Sequence, residues 1–263
     1  MTDYLTELEK FHEVIKKLRD PQHGCPWDKK QNHQSLKKYM LEESYEFVEA
    51  VCENDPVKME EELGDVLLQI LLHADEGERQ KSFTLASIMS NIKNKMIRRH
   101  PHVFGDTKAS SINEVWQNWE EIKGKEKKIT DKTDLLTNVP KNLPALMRSE
   151  KLQKIAARVG FDWENVEEAL PKVEEEVEEF KEIIHTKNKP KITEELGDLL
   201  FSLVNIARKL DIDPEDALQV SNKKFIKRFS YIEKSLKKQN KTLQETSLAE
   251  MDKLWKNSKN KES

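Results

Sequence analysis

The chain has 263 residues, of which 36% are charged and 7% are aromatic, and it contains only 7 Gly and 9 Pro. Because each tight turn between strands tends to need Gly, Pro or Asn, this composition disfavours a many-stranded sandwich or barrel and favours amphipathic helices. The 45 basic and 49 acidic residues give a net charge of −4, which argues against a bulk nucleic-acid binder whose whole surface would be positive.

Five helices are predicted in the first half of the chain. In the first of them Leu8, Phe11 and Ile15 recur at spacings of three and four, which places them on one helical face. Pro56 and Pro101 mark two of the breaks between helices, because the residue before a proline disfavours the helical conformation. The predicted ranges are 3–19, 34–53, 57–76, 84–99 and 112–127.

A linker is predicted where the apolar period is lost, in the polar stretch GKEKKITDKTDLLTNV. After it the helical pattern starts again. The predicted ranges there are 144–159, 165–185, 191–210, 214–238 and 245–258. The expected organisation is an N-terminal domain of residues 1–123, a linker of residues 124–139 and a C-terminal domain of residues 140–263.

The cysteine and hydrophobicity patterns predict a cytoplasmic protein. Cys25 and Cys52 are too few for a disulfide framework and lack C-x-x-C spacing, so both are interpreted as reduced thiols. The N-terminal segment has no apolar core of the signal type, and no run of about 18 apolar residues occurs in the sequence, so no membrane association is expected.

An internal repeat is the most informative feature of the sequence. The segment Glu42-Glu43-Ser44-Tyr45-Glu46 precedes Glu62-Leu63-Gly64-Asp65, and Glu175-Glu176-Val177-Glu178-Glu179 precedes Glu195-Leu196-Gly197-Asp198. In both copies the aspartate follows the second glutamate of the motif by 22 positions. Downstream, Lys95-x-x-x-Arg99 matches Lys224-x-x-x-Arg228, and Trp119-x-x-x-Lys123 matches Trp255-x-x-x-Lys259.

The repeated carboxylates predict a metal site in each copy. Residues three apart share a helix face, and an antiparallel hairpin would bring the carboxylate pairs of two helices together. Such a cluster is unfavourable without a cation, because the charges repel and lose hydration. Ligands that are all oxygen favour Mg²⁺, with Mn²⁺ as a substitute. The predicted ligands are Glu43, Glu46, Glu62 and Asp65 in one copy and Glu176, Glu179, Glu195 and Asp198 in the other.

A solvated helix face is the alternative interpretation of a single E-E-x-x-E string, and it is usually the correct one. The recurrence of both motifs at the same spacing favours metal binding. Gly64 and Gly197 add to this, because a glycine inside a helix costs about 1 kcal/mol relative to alanine. Its repetition predicts that another backbone or a ligand approaches closely there.

The basic residues after each acidic motif are predicted to bind the phosphates of a substrate. Each pair also fits a solvated surface, which is the favoured interpretation for one pair alone. The tryptophans at these positions fit base stacking, although a tryptophan at helical spacing is more often part of a core. Trp27 and Trp163, in the loops before the acidic helices, are further stacking candidates. The predicted substrate-binding residues are Lys95, Arg99, Trp119, Lys123, Lys224, Arg228, Trp255 and Lys259.

Two histidine patterns are interpreted as non-functional. Glu182-x-x-His185 resembles half of a di-iron motif, but the first copy has Cys52 at the matching place, so His185 is assigned to a helix end. His100 and His102 flank a proline and have no apparent third ligand.

The sequence resembles the MazG family of nucleoside triphosphate pyrophosphohydrolases in its tandem-domain form. The family signature is E-E-x-x-E followed after a spacer by E-x-x-D, and it is matched twice. Further similarity lies in Gly24-Cys25-Pro26-Trp27-Asp28, Arg98-Arg99-His100-Pro101-His102-Val103-Phe104, Leu143-Pro144-Ala145-Leu146-Met147 and Val159-Gly160-Phe161-Asp162-Trp163.

The resemblance implies an all-α fold of two helical-bundle units related to dimeric all-α dUTPases, and a homodimer. It implies Mg²⁺-dependent hydrolysis of an NTP or dNTP between the α and β phosphates, with a role in nucleotide-pool cleaning. The eight carboxylates above would be the metal ligands. The first acids of the motifs, Glu42 and Glu175, would position or deprotonate the attacking water.

Two other functions fit the same sequence. A non-catalytic helical nucleotide sensor or partner-binding scaffold would keep the acidic hairpins for structure. A phosphohydrolase acting on a different nucleotide would share the metal site. The sequence leaves open which copy turns over and whether the copies pair within or between chains.

Overall fold

The computed structural model describes residues 3–126, 135–137 and 139–259. The chain divides into two compact units, Met1–Ile129 and Thr130–Ser263. Within the described ranges all regular structure is helical and no strand occurs. The all-α fold with two tandem helical units is therefore confirmed.

Unit 1 contains six α-helices and a short 3₁₀ helix (Asp28–Lys30) among its described residues, and its central feature is the antiparallel pair α2 and α3. The loop that joins them is short, because Asn54 ends α2 in the left-handed conformation at φ 54° and Asp55 caps α3 directly before Pro56. The helices are α1 (Tyr4–Leu18), α2 (His33–Glu53), α3 (Pro56–Arg79), α4 (Leu85–Arg99), α5 (Pro101–Phe104) and α6 (Ile112–Glu126).

Side-chain caps explain why these helices begin where they do. Asn32 accepts hydrogen bonds from the backbone amides of Gln34 and Ser35 at the start of α2, and Thr84 accepts one from Ser87 at the start of α4. Capping satisfies amides that have no partner inside the helix. The single-turn helix α5 was not predicted, because four residues are too short for a periodicity signal.

The core of unit 1 lies between α1, α2 and α3. Its fully buried side chains are Ile15, Leu36, Leu71 and Leu72, each no more than 2% exposed. They come from three helices, so the core fixes α1 against the α2–α3 hairpin.

Unit 2 repeats the hairpin with α8 and α9, which are antiparallel neighbours. Helix α7 packs on α9, α10 packs on α7 and α9, and α11 packs on α10. The helices are α7 (Ala145–Ala157), α8 (Val166–Ile183), α9 (Lys189–Lys209), α10 (Pro214–Lys238) and α11 (Leu248–Lys259). The third predicted helix ends at Arg79 rather than 76, and the last begins at Leu248 rather than 245.

The predicted linker, residues 124–139, is described only in part. Helix α6 continues to Glu126, and Val139 is buried at 3% exposure within unit 2. Residues 127–134 and 138 lie outside the described ranges, so the predicted domain limits stay predictions. Among the described helices, none combines the length and apolar composition that a membrane crossing requires.

Candidate metal centre

Each acidic motif is divided between the two helices of a hairpin. In unit 1, α2 carries Glu43 and Glu46 while α3 carries Glu62 and Asp65. Because the helices are antiparallel and adjacent, residues in the middle of α2 lie opposite residues near the start of α3. The hairpin geometry thus brings carboxylates that are about 20 positions apart in sequence to one place.

In unit 1 the carboxylates of Glu43, Glu62 and Asp65 come together. One oxygen of each lies within 4.8 Å of the others, and all three side chains are half-buried. Glu46 is exposed, and its charge contributes, after burial, to the raised pKa of Glu62. Three of the four residues predicted as ligands in unit 1 therefore converge, and Glu46 is not part of that group.

In unit 2 the equivalent group consists of Glu176, Glu179 and Glu195, again with oxygens within 4.8 Å of one another. Glu176 is buried at 5% exposure, whereas Glu179 is exposed. Asp198, the fourth predicted ligand, is exposed and lines a cavity beside Glu176 rather than joining the cluster of three.

The clusters raise the pKa values of their own carboxyl groups. The pKa of Glu43 lies above its ordinary value because of burial and then because of the charge of Asp65. Burial followed by the charge of Glu46 raises the pKa of Glu62, and burial followed by the charge of Glu176 raises the pKa of Glu179. Ionised carboxylates are thus held together at a cost that a bound cation would remove.

Lys172 partly neutralises the unit 2 cluster. Its Nζ donates to Glu175 and Glu176, each at 2.8 Å, and these hydrogen bonds raise the pKa of the lysine above its ordinary value. The second oxygen of Glu176 is buried, and no hydrogen bond reaches it from the described residues. A buried carboxylate oxygen without a donor, beside two further carboxylates, fits a hard divalent cation.

The predicted water-activating residues lie beside the clusters. Glu42 is exposed, and its charge contributes to the raised pKa of Glu43. Glu175 is 55% exposed and bound by Lys172. Lys172 was not predicted as a site residue, although its position one helical turn before Glu176 in the sequence is the available signal.

The basic and aromatic residues of unit 1 lie on two packed helices, α4 and α6. The Arg99 guanidinium lies 5.0 Å from the ring centre of Trp119 and pairs with Glu126 at 2.6 Å. Lys95 and Lys123 are half-exposed on the same two helices. Glu126, which is not part of the motif, therefore forms an ion pair with the Arg99 guanidinium, the group that was predicted to bind a phosphate.

Unit 2 repeats this arrangement on α10 and α11. The Arg228 guanidinium lies 5.6 Å from the centre of the Trp255 ring, which also contacts Phe225 at 5.4 Å between ring centres. Lys224 and Lys259 are exposed on these helices. In both units, therefore, the arginine of the K-x-x-x-R motif lies over the ring of the tryptophan of the W-x-x-x-K motif.

Gly64 and Gly197 do not serve a close approach by the chain itself. A Cβ atom added at either glycine would meet no described atom within 4 Å. The expectation that another backbone of the chain packs there is wrong within the described structure. The open space leaves room for a ligand or a second molecule.

The loop before each acidic helix is tied to the hairpin by ion pairs. In unit 1 the buried Arg19 pairs with Asp75 at 2.9 Å and with Glu76 at 2.5 Å. In unit 2 Asp162 pairs with Arg208 at 2.5 Å and with Lys209 at 2.8 Å. Lys209 also donates to the backbone carbonyl of Trp163, so this clamp fixes the loop that carries the tryptophan.

The remaining candidates occupy separate places. Trp27 is half-exposed and packs edge-on against Tyr39, whereas Trp163 lines the cavity beside Glu176. His185 lies just beyond the end of α8, as predicted. His100 caps α4 and packs against Trp119.

Comparisons with known proteins agree with the geometry. The model of the MazG nucleotide pyrophosphohydrolase domain matches residues 31–104 and 164–232, which contain both hairpins. A nucleoside triphosphate pyrophosphohydrolase/pyrophosphatase MazG of Thermotoga maritima is 41% identical over 96% of this chain and 95% of its own length. A nucleoside triphosphate pyrophosphohydrolase of Escherichia coli K12 is 37% identical over 98% of this chain and 99% of its own.

A longer relative is also similar. An uncharacterized protein of Bacillus subtilis, YabN, is 52% identical over 97% of this chain. This chain spans 52% of the length of YabN.

Proposed function

The chain belongs to the MazG family of nucleoside triphosphate pyrophosphohydrolases, and on that premise we propose that it hydrolyses NTPs or dNTPs between the α and β phosphates. The products are a nucleoside monophosphate and pyrophosphate. The observation that carries the proposal is the convergence of carboxylates from two helices to within 4.8 Å, repeated in both hairpins.

Mg²⁺, or Mn²⁺ in its place, is the proposed cofactor. Glu43, Glu46, Glu62 and Asp65 would hold it in unit 1, and Glu176, Glu179, Glu195 and Asp198 would hold it in unit 2. The bound cations would neutralise charge on the triphosphate and on the leaving pyrophosphate. The buried, unpaired oxygen of Glu176 and the raised pKa values around it support this assignment.

The glutamates that begin each motif are assigned to the attacking water. Glu175 is exposed beside the cluster, and Lys172 holds its carboxylate in place by a 2.8 Å contact. In this role a Glu175 oxygen accepts the proton that the water loses as it attacks the α phosphorus. Glu42 has the same position in unit 1.

The cationic residues of the later helices are assigned to the phosphates. Lys95, Arg99 and Lys123 would act in unit 1, and Lys224, Arg228 and Lys259 in unit 2. Trp119 and Trp255 support the two arginines by lying against their guanidinium groups. Arg99 must exchange Glu126 for a phosphate oxygen to act in this way.

A homodimer is proposed because α9 leaves an apolar stripe uncovered. Leu196, Leu200 and Leu203 follow one another at helical spacing and are each more than 40% exposed. Leu63 and Leu67 form a similar stripe on α3. A second copy would cover such faces, and light scattering of the purified protein tests this directly.

A product assay tests the proposed reaction. The protein is incubated with each ribo- and deoxyribonucleoside triphosphate in Mg²⁺, in Mn²⁺ and in EDTA. We expect pyrophosphate and monophosphate in equal amounts with either metal and none in EDTA. Release of orthophosphate alone, or nucleotide binding without product, would contradict the proposal. A role in cleaning the cytoplasmic nucleotide pool would follow from a preference for non-canonical bases.

A further inference from the structure

Two histidines from different helices meet in unit 1, outside the acidic cluster. His33 is the first residue of α2, His73 lies in the second half of α3, and both are half-buried. Their Nδ1 atoms are 2.8 Å apart, although the residues are 40 positions apart in the sequence. The histidine pair, His33 and His73, therefore joins the beginning of α2 to α3.

The two imidazole rings lie edge to edge in one plane. Their planes differ by 7°, and the ring centres are 5.1 Å apart. This separation exceeds the distance between the two nitrogens by 2.3 Å, which is twice the distance from the centre of an imidazole ring to one of its nitrogens. Both Nδ1 atoms therefore lie on the line between the ring centres, and this is the geometry of an N–H···N hydrogen bond.

Such a hydrogen bond limits the number of protons that the pair can hold. One Nδ1 must carry a hydrogen and the other must be bare, because an imidazole nitrogen donates only when it is protonated. The bond persists when one ring is a cation, since a charged ring still donates to a neutral one. When both rings are cations, two donors and two positive charges face each other, so the contact must open.

The surroundings of His33 favour its neutral form. The Nε2 atom of His33 is buried and has no hydrogen-bond partner among the described residues, so a positive charge on this ring would be poorly solvated. His33 also begins α2, where the helix dipole disfavours a cation. Phe83, from the segment before α4, covers the ring of His33 at 5.6 Å between centres and adds no charge.

Charged groups from two helices act on His73. The pKa of His73 lies below its ordinary value because of burial and then because of the charges of His33 and Arg19, while the charge of Glu76 opposes this effect. The Glu76 carboxylate already accepts hydrogen bonds from Arg19 and Gln80. It is therefore engaged by other donors when a proton reaches His73.

The remaining neighbouring charges do not compensate for a second proton. Asp75 on α3 pairs with Arg19 and Arg79. Lys37 on α2 is exposed and positive, and α4 carries no charged residue before Lys93. The histidine pair is therefore the part of this contact whose charge changes between about pH 5 and about pH 8.

We propose that the histidine pair is a pH-sensitive switch that holds the first turns of α2 against α3 at neutral pH and releases them in acid. The contact is kept while one of the facing nitrogens is bare, and it opens when both carry hydrogens. Release frees the start of α2 and the ring of Phe83, whereas the turn at Asn54 keeps its own caps. The switch is separate from the proposed reaction, since neither histidine belongs to the acidic cluster.

The stability of unit 1 should fall on acidification, because the pKa of His73 is lowered by folding. The unfolded chain binds this proton at the ordinary histidine value of about 6.5. The contribution of the histidine pair is therefore present above about pH 6.5 and is lost as the pH falls toward the lower folded value.

Nitrogen NMR of the wild-type protein observes the histidine pair without any substitution. At about pH 7.5 we expect one of the two rings to carry its hydrogen on Nδ1 and the other to have a bare Nδ1. At about pH 5 both rings should be fully protonated. Two neutral rings that both have a bare Nδ1 at the higher pH, or an Nδ1 hydrogen bond that persists at the lower pH, would overturn the proposal.

Hydrogen exchange measures the release of α2. We expect the protection factors of the amides in residues 36–40 to fall about 10-fold or more between about pH 7.5 and about pH 5, because one pKa unit corresponds to a factor of about 10. Residues 46–53, at the other end of α2, should change much less.

His73→Asn is the matched variant. An asparagine amide reaches the place of the histidine Nδ1 and can accept from His33 or donate to it without titrating, so the protection of residues 36–40 should change little with pH. His185→Asn removes an exposed histidine of unit 2 and should keep the wild-type response. Equal pH responses of the wild type and His73→Asn, or a wild type that does not respond to pH, would contradict the switch. Neither measurement requires turnover, so the outcome is independent of the product assay.

Discussion

Asp75 and Arg208 occupy the same position in the two copies, ten positions after the last acidic residue of each motif, and carry opposite charges. Each forms an ion pair with the segment before its acidic helix, Asp75 with Arg19 and Arg208 with Asp162. Both units therefore have an ion pair between this helix position and the preceding segment, but the acidic and basic partners are exchanged. Because attraction is symmetric in the signs of the charges, either arrangement holds the segment against the hairpin.

Arg19→Met should strongly destabilise unit 1. Arg19 is 1% exposed and pairs with both Asp75 and Glu76, so its removal leaves the poorly solvated Glu76 carboxylate without its cation and leaves Asp75 with Arg79. Breaking a buried pair on one side costs about 3–5 kcal/mol. Chemical denaturation measures the loss. Lys10→Met, which removes an exposed ion pair with Glu7, is the control and should change stability by less than about 1 kcal/mol.

Glu176→Gln should lower pyrophosphate release by roughly 100-fold or more, since removing even an outer partner of a metal site costs about 10- to 100-fold. Glu43→Gln should have a much smaller effect, because the unit 1 positions that match the wall of the unit 2 cavity, 133 positions earlier, are filled by Leu36 and Leu72. Initial rates on the best NTP measure both. Full activity in the double variant would refute the assigned ligands.

Divalent cations should stabilise the protein more at pH 8 than at pH 5. The raised pKa values of Glu43, Glu62 and Glu179 mean that folding favours their protonated forms. That contribution is present below the unfolded value of about 4.5 and is lost as the pH rises through the higher folded values. A cation removes the repulsion at high pH. The measurement is the difference in Tm with Mg²⁺ and with EDTA, and an equal difference at both pH values would contradict the assignment.

Glu126→Gln should lower the Tm at pH 7. Hydrogen bonds from Arg99 and then Arg98 lower the pKa of Glu126 to about 2. Its stabilisation is therefore present above about pH 4.5 and is lost as the pH falls through about 2. The Tm difference between variant and wild type should shrink over that window. Glu121→Gln on the same helix is the control, because Glu121 is 70% exposed and its lysine partner is 4.0 Å away.

Leu36→Ala should destabilise unit 1 by about 2–5 kcal/mol, because Leu36 is 0% exposed and its removal leaves a void. Leu41→Ala, on the same helix and 58% exposed, should cost far less. Denaturant unfolding followed by circular dichroism compares the two. Equal losses would mean that the core has been misplaced.

The repeated motifs allowed the hairpins and their acidic clusters to be predicted from the sequence. Helix periodicity places Glu43 with Glu46 and Glu62 with Asp65, and Pro56 marks the short turn that makes α2 and α3 antiparallel. These features are local or repeated. They can be read without knowing how distant segments pack.

Features that depend on distant contacts were missed. Glu126 is 27 positions from Arg99, and nothing in the motif indicates that this carboxylate pairs with the guanidinium. His33 and His73 become significant only when α2 and α3 are seen to place their rings edge to edge. The meaning of Gly64 and Gly197 likewise depends on what occupies the open space beside them.

The reversed polarity at Asp75 and Arg208 makes the two halves poor substitutes for each other. A chimaera that joined α1 and its following loop to the α8–α9 hairpin would place Arg19 opposite Arg208 and Lys209, so like charges would meet at low exposure. The mismatch gives each half a means of recognising its own hairpin while the chain folds. Duplicated domains that share most of their sequence otherwise risk exchanging equivalent segments.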